Sequence, residues 1–361
     1  MKTLVVDKNA LRQNLNEIRA KAGSAEIVAD LSADGQGLGV LRMARFLADE
    51  GVESFAVTET RDALSLRRGG FQQARVLMLR SIVDVRELQE LMDNGITFTV
   101  GSNEAGIALN GLAGELHTVA EARIRVDTGL GQYGFLPTET DKMLNLYRHM
   151  PGIAITGIYA RSSGVNLLSA AESQYRAFMG AVEALRAQGV DTGSVMALDD
   201  CALFRLPANE QNAVLVGSAL IGRTPVRAGA SLTKVGTVEA SLEEVKWLPE
   251  GTVVGLGKGK KLKKPTRVAV VDLGWANGIG ALHRGERQEL PLLRKARSIL
   301  DPDDKFEPVV KVGGKKVPVL GQTGMTALTL NVTRCECAPR DVAVLDADPR
   351  MVRFLPVEMR E

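Results

Sequence analysis

Short apolar runs alternate with helical patterns over the first 225 residues, and this alternation limits the possible folds more than any other feature. Apolar runs typical of buried strands include residues 27–29, 54–57 and 153–159. Between such runs, apolar residues recur at the spacing of amphipathic helices, as in residues 39–50. Strands that alternate with helices form a parallel sheet, and about eight such repeats predict a closed TIM (β/α)8 barrel.

The pattern changes where the alternation ends. Helical periodicity fades, and short β-rich runs follow, such as residues 232–240 and 341–345. Such runs predict a small all-β domain. We therefore expect an α/β barrel over residues 1–226 and a C-terminal β domain over residues 227–361, with a helical insertion around residues 283–305. The apolar stripe of that insertion would cover a pocket rim, bind a partner or pack on its own domain.

The composition is that of an ordinary globular protein, with a formal net charge of +2 over 361 residues. Its three cysteines, Cys201, Cys335 and Cys337, are too few for a disulfide framework, and we expect them to be buried small side chains. No run reaches transmembrane length and no signal peptide is recognisable, so we expect a cytoplasmic protein without a membrane partner. The basic clusters lack an aromatic platform, which argues against nucleic-acid binding.

A glycine-rich stretch, residues 29–39, follows one of the first predicted strands and leads into a predicted helix. A loop in this position lies at the carboxyl end of a parallel strand, where a barrel builds its active site. Three further motifs follow along the chain: Asp127-Thr128-Gly129-Leu130-Gly131, Gly274-Trp275-Ala276-Asn277-Gly278, and Pro318-Val319-Leu320-Gly321 with Met325. In this order and at these distances, the motifs resemble those of the alanine racemases, which are fold-type III enzymes that depend on pyridoxal phosphate (PLP).

The resemblance implies a barrel followed by a β domain, a homodimer, and amino-acid racemase chemistry. The positions that carry this chemistry in the family hold other residues here. The cofactor lysine falls on Ser32, and the second catalytic base, a tyrosine, falls near Lys258. The other positions that the resemblance assigns to the cofactor and substrate pocket fall on Gln36, Gln132, Arg161, Asp199, Asp200, Leu215, Trp275 and Met325.

Several of these replacements are unfavourable for PLP. A Schiff base needs an amine, and Ser32 has none. A phosphate dianion needs N–H donors, hydroxyl groups or cations, whereas Asp199 and Asp200 replace an Asn-Ser pair that helps to hold the phosphate in the family. Leu215 replaces the arginine that faces the pyridine nitrogen. The resemblance and these losses together predict a pseudoenzyme without a cofactor, which has a binding or regulatory role.

Two other functions stay open at this point. The first is a rewired PLP enzyme that uses Lys258, which lies in a lysine-rich segment. The second is a binder of a cation or an amine, because four aspartates lie at predicted strand ends: Asp30, Asp34, Asp199 and Asp200. For Asp200 alone, its place before residues 202–204 predicts the N-cap of a short helix. The three histidines show no ligand spacing, so no metal site is predicted.

Overall fold

The computed structural model describes residues 1–162, 168–206, 211–224, 232–255, 259–279 and 308–361. These residues form two compact units, one of Arg12–Leu232 and the other of Met1–Leu11 together with Thr233–Glu361. The second unit thus includes the first residues of the chain, which the expected division into residues 1–226 and 227–361 assigned to the barrel. The predicted boundary at residue 226, Lys258 and the predicted helical insertion all lie outside the described residues.

The first unit is built from parallel strands and the helices that connect them. After strand β1 (Lys2–Asp7) and helix α1 (Lys8–Ala22), the strands are β2 (Glu26–Asp30), β3 (Ser54–Val57), β4 (Arg75–Ser81), β5 (Thr97–Val100), β6 (Ala120–Val126), β7 (Ile153–Ala160), β8 (Ser194–Met196), β9 (Leu198–Asp199) and β10 (Ala213–Val216). The helices are α2 (Ser32–Gln36), α3 (Val40–Asp49), α4 (Thr60–Arg68), α5 (Val85–Asp93), α6 (Asn103–Glu115), α7 (Thr140–His149) and α8 (Leu168–Ala187).

The parallel strands form a nearly closed barrel. Their order is β8-β7-β6-β5-β4-β3-β2-β10-β9, and β8 and β9 are two parts of one strand that is interrupted at Ala197. The side chains after this strand complete the interrupted hydrogen bonding. Gln211 Oε1 accepts the N–H of Ala197 at 2.6 Å, and Asn212 Oδ1 accepts the N–H of Val195 at 2.9 Å. The predicted barrel is confirmed.

Apolar side chains fill the inside of the barrel. This cluster consists of Val28, Ala56, Leu77, Leu79, Tyr159, Met196, Ala213 and Leu215. The alternation of apolar runs in the sequence arises because the strands bury side chains in this core or in the layer under the helices. Since the core is packed, a ligand can meet the barrel only at its ends, and the carboxyl ends of the strands carry the glycine-rich loop.

The second unit is all-β, as predicted. Its strands are β1, β11 (Thr237–Leu248), β12 (Val253–Val254), β13 (Lys260–Lys261), β14 (Thr266–Val271), β15 (Val310–Val312), β16 (Lys315–Val317), β17 (Leu328–Asn331), β18 (Val342–Asp346) and β19 (Val357–Arg360). Strand β1 pairs antiparallel with β11 and parallel with β19, so it lies inside this sheet. Strands β12 and β13 form a hairpin whose lysines are exposed.

Two further predictions concern the state of the three cysteines and the absence of a membrane-spanning helix. All three cysteines are free and buried, which confirms that they are packed small side chains. Within the part of the chain that the structure describes, the helices are all too short or too polar to cross a membrane.

Candidate functional site at the carboxyl end of the barrel

The glycine-rich loop opens with a left-handed turn. Helix α2 is not a right-handed helix, because φ is 57° at Ala33, 56° at Asp34, 63° at Gly35 and 57° at Gln36. A left-handed conformation costs a residue with a Cβ about 1–2 kcal/mol, and only glycine avoids this cost. Three of these four residues carry a Cβ, so contacts around the turn must hold the conformation.

Those contacts join the turn to the end of β2. Asp30 Oδ1 accepts the N–H of Ser32 at 2.9 Å, and Gln36 Nε2 donates to the carbonyl oxygen of Asp30 at 2.9 Å. Asp34 Oδ1 accepts the N–H of Val40 at 2.9 Å and so closes the loop onto α3. Ser32 Oγ is buried and has no hydrogen-bond partner among the described residues. The side chain at the predicted lysine position therefore makes no polar contact with the rest of the site.

Arg161 lies directly after β7 and neutralises the carboxylate at the end of β2. Its Nη2 lies 3.1 Å from Asp30 Oδ2, and the side chain of Asp30 is 6% exposed. Burial disfavours the charge of Arg161, but Asp30 and Asp199 outweigh it and raise the pKa of the guanidinium. Arg161 thus acts as the counter-ion of a buried aspartate.

Asp199 ends β9 and joins two loops. Its Oδ2 accepts the N–H of Ser162 at 2.8 Å, and its Oδ1 accepts the hydroxyl of Ser162 at 2.6 Å. The same Oδ1 accepts the N–H groups of Cys201 at 3.0 Å and of Ala202 at 3.2 Å. Asp199 therefore caps the turn that follows β9. The predicted cap at Asp200 is wrong, because the side chain of Asp200 lies elsewhere.

Asp200 instead accepts hydrogen bonds from the loop after β10. The N–H of Gly217 lies 3.0 Å from both carboxylate oxygens, the N–H of Ser218 lies 3.0 Å from Oδ2, and the N–H of Ala219 lies 2.9 Å from Oδ1. Burial raises the pKa of Asp200 to about 6, opposed by the N–H groups and reinforced by the nearby charges of Asp199 and Asp30.

The predicted site residues therefore divide into three groups. The contacts above bring five of them together at the carboxyl ends of β2, β7, β9 and β10: Ser32, Gln36, Arg161, Asp199 and Asp200. Leu215 is buried in the barrel core, and Gln132 is exposed in the loop after β6. Trp275 and Met325 are exposed in the all-β unit, and Lys258 lies outside the described residues.

A buried polar group inside the barrel was not predicted from the sequence. Arg125 in β6 is buried, and its Nη1 donates to the carbonyl oxygen of Leu79 at 3.3 Å. Nearby, the hydroxyl groups of Tyr159 and Thr99 lie 2.8 Å apart. Burial raises the pKa of Tyr159, although Arg125 opposes the shift. Two arginines, Arg123 and Arg125, within the predicted strand of residues 121–126 were the signal for this group.

Comparisons with known proteins identify the family. Residues 6–225 match the model of the alanine racemase N-terminal domain, and residues 235–352 match that of the C-terminal domain. The chain is 24% identical over 339 residues to an alanine racemase of Methanococcus maripaludis, with 92% of this chain and 84% of that protein covered. It is 26% identical over 347 residues to one of Carboxydothermus hydrogenoformans, with 94% and 88% covered. The chain therefore belongs to the alanine racemase family.

Solved structures show the same fold. The alanine racemase from a D-cycloserine-producing Streptomyces lavendulae superimposes with a TM-score of 0.84 at 21% identity, over 100% of this chain and 97% of that chain. The alanine racemase from Streptomyces coelicolor gives a TM-score of 0.82 at 21% identity, over 99% and 97%. At this level of identity the likeness extends to the fold, and the chemistry of the site has to be judged from its own residues.

Proposed function

We propose that this chain is a non-catalytic member of the alanine racemase family, which neither holds PLP nor racemises amino acids and has a binding or regulatory role. One observation carries the proposal. Between residues 12 and 232 the sequence contains two lysines, Lys21 and Lys142, which lie in α1 and α7 on the outside of the barrel. An enzyme that holds PLP as a Schiff base needs a lysine at the cofactor. Ser32 stands at that position and offers only a hydroxyl group.

The remaining groups do not fit PLP either. Leu215 is buried and apolar, so it provides no partner for a pyridine nitrogen. The N–H groups of residues 217–219, which would suit a phosphate, are bonded to the carboxylate of Asp200. A phosphate placed about 4 Å from an ionised carboxylate would meet a repulsion of about 4 kcal/mol per pair of unit charges at an effective dielectric constant near 20.

The contacts also favour a closed barrel mouth over an acidic site open to cations or amines. Asp30 is paired with Arg161, and both Asp199 and Asp200 already accept several N–H groups. Among the residues that the structure describes, no group of three or more potential metal ligands occurs. A cation would have to displace these internal donors, so we propose that the mouth is filled by its own side chains.

We also propose a homodimer. Trp275 is 58% exposed and Met325 is 54% exposed. They are neighbours, since the N–H of Trp275 donates to the carbonyl oxygen of Gly324 and the N–H of Ala276 donates to that of Met325, both at 3.0 Å. We propose that these two adjacent apolar side chains belong to the interface. The cytoplasmic location proposed for this dimer rests on the sequence alone.

The proposal is tested by adding PLP to the purified protein and recording its absorbance, followed by borohydride reduction and peptide mapping. We expect no saturable internal-aldimine band and no exchange of the α-hydrogen of alanine in heavy water, because neither lysine of residues 12–232 lies at the barrel mouth. The alanine racemase of Carboxydothermus hydrogenoformans, treated in the same way, is the positive control.

A reducible band that saturates with PLP concentration and maps to any lysine would contradict the proposal. If the modified peptide contains Lys258, the chain is a rewired PLP enzyme, and the Lys258→Ala variant must then lose the band. If the peptide contains Lys21 or Lys142, the reaction is a surface modification only when it fails to saturate with PLP concentration.

A further inference from the structure

Three consecutive backbone N–H groups in the loop after β10 converge on the carboxylate of Asp200. They belong to Gly217, Ser218 and Ala219, and they make four contacts of 2.9–3.0 Å with the two carboxylate oxygens of Asp200. Successive backbone N–H groups that converge in this way form an anion-binding nest. Such a nest binds carboxylate and phosphate oxygens by the same charge-assisted hydrogen bonds.

The nest is held in place by the packing of the loop. A Cβ added at Gly217 would lie 2.8 Å from Gln36 Nε2 and 3.1 Å from the Cβ of Asp30, so the backbone here is packed closely against β2 and the left-handed turn. Asp200 reaches the nest from the residue that follows β9, the strand that pairs with β10. The carboxylate is thus delivered from the neighbouring strand, and a free anion must compete with this tethered one.

We propose that Asp200 is an internal ligand that fills a phosphate-binding nest, and that it thereby excludes phosphate monoesters from the barrel mouth. The inference rests on the proposed function and deepens it, because it names the residue and the ligand class concerned. Two effects act together. The carboxylate occupies the donors that a phosphate needs, and its charge adds to that of Asp199 and Asp30 nearby.

The inference predicts that removal of this carboxylate creates an anion site. In the Asp200→Ser variant the three N–H groups lose their acceptor, and the serine hydroxyl adds a donor. We expect inorganic phosphate to bind this variant at least tenfold more tightly than it binds the wild type, with a saturable rise in Tm. Isothermal titration calorimetry and thermal unfolding, both on the full-length protein, measure these changes.

Two matched variants separate the effects. Asp200→Asn keeps a side chain of the same shape, whose amide oxygen still accepts the N–H groups, but removes the charge. We expect it to gain less affinity for phosphate than Asp200→Ser does. Asp93→Asn removes a charge from the exposed end of α5, which leads into the amino end of β5 and so lies at the end of the barrel opposite the nest. This variant should bind phosphate as the wild type does.

The inference is overturned if folded Asp200→Ser binds phosphate no better than the wild type. Circular dichroism establishes whether the variant is folded. If it is not, Asp200→Asn decides, since equal phosphate affinity of that variant and the wild type would also overturn the inference.

The two proposals fail separately. A wild type that forms a PLP aldimine but binds inorganic phosphate ten times more weakly than Asp200→Ser contradicts the proposed function and supports the role of Asp200. A wild type that forms no aldimine but binds phosphate as tightly as Asp200→Ser supports the proposed function and contradicts the role of Asp200.

Discussion

At the scale of the residue, the carboxylate of Asp200 joins the end of β9 to the loop after β10 by accepting three backbone N–H groups. Its replacement of a phosphate-holding residue of the family indicated that a phosphate would be repelled. The partners of its carboxylate could not be predicted, because they lie 17 to 19 residues further along the chain, beyond β10. The preference of aspartate for the position just before a helix predicted an N-cap at Asp200 instead. Asp199 makes that cap, since its side chain points at the turn while that of Asp200 points at the adjacent loop.

The raised pKa of Asp200 makes stability depend on pH in a defined direction. The pKa of Asp200 is about 6 in the folded protein, whereas the ordinary value for an aspartate, which we take for the unfolded chain, is 3.8. Between these values the folded protein holds a proton that the unfolded chain has released, so the stabilisation present at low pH is lost as the pH rises through 6. We expect the free energy of unfolding of the wild type to fall relative to Asp200→Asn between pH 4 and 7, by at most about 3 kcal/mol.

Urea unfolding of both proteins at each pH measures this difference. The Asp93→Asn variant is the control, and its stability relative to the wild type should show no comparable fall over the same range. A relative stability of the wild type that rises with pH would mean that the N–H groups of residues 217–219 hold the pKa below its usual value.

At the scale of the element, the sequence predicted the barrel repeats well and the loop between β2 and α3 poorly. The predicted helix over residues 39–50 corresponds to α3, Val40–Asp49. Hydrophobic periodicity sets such elements, because each has to bury one face. The left-handed turn is different, since Ala33 and Gln36 disfavour positive φ. Long-range contacts such as that between Gln36 and Asp30 impose it, and periodicity contains no information about them.

The turn makes the effect of a glycine substitution depend on its place. Ala33 is exposed, with φ 57° and ψ 47°, so Ala33→Gly relieves left-handed strain and should raise the free energy of unfolding by about 0.5 kcal/mol after the entropic cost of glycine. Ala177 is exposed within α8, and Ala177→Gly should lower the free energy of unfolding by about 1 kcal/mol. Denaturant unfolding of both variants measures these changes, and a loss of stability in Ala33→Gly would contradict a left-handed turn.

At the scale of the whole molecule, the order of barrel and β domain was predicted, and the membership of β1 was not. The alternation of apolar runs with helical patterns predicts where the elements lie along the chain, but it does not predict which distant strands pair with each other. The run of Leu4, Val5 and Val6 reads equally well as a barrel strand. Its partners are residues 237–240 and 357–360, and no local pattern connects them with the start of the chain.

The proposed homodimer can be followed with one tryptophan. The sequence contains two, Trp247 and Trp275, and both are exposed in the single chain. In the Trp247→Phe variant, the emission of Trp275 should move to longer wavelength on dilution, because dissociation would return a covered indole to water. Light scattering should give twice the chain mass of 38.7 kDa at high concentration.

The Trp275→Phe variant is the matched control, in which the emission of Trp247 should not change with concentration. A mass of one chain at all concentrations would contradict the homodimer. A dimer in which Trp275 emission is insensitive to dilution would place the interface elsewhere on the molecule.

The pairing of β1 has a consequence for the synthesis of the protein. Val5 pairs with Thr237 and with Glu358, so about 230 and 350 residues separate the partners. At about 5–20 residues per second, a ribosome needs about 10–50 s to reach the first partner and about 20–70 s to reach the second. The barrel strands are all made within that interval. Leu4 and Val6, which are buried in the finished sheet, therefore remain available to chaperones or to wrong partners until residues 357–360 have been made.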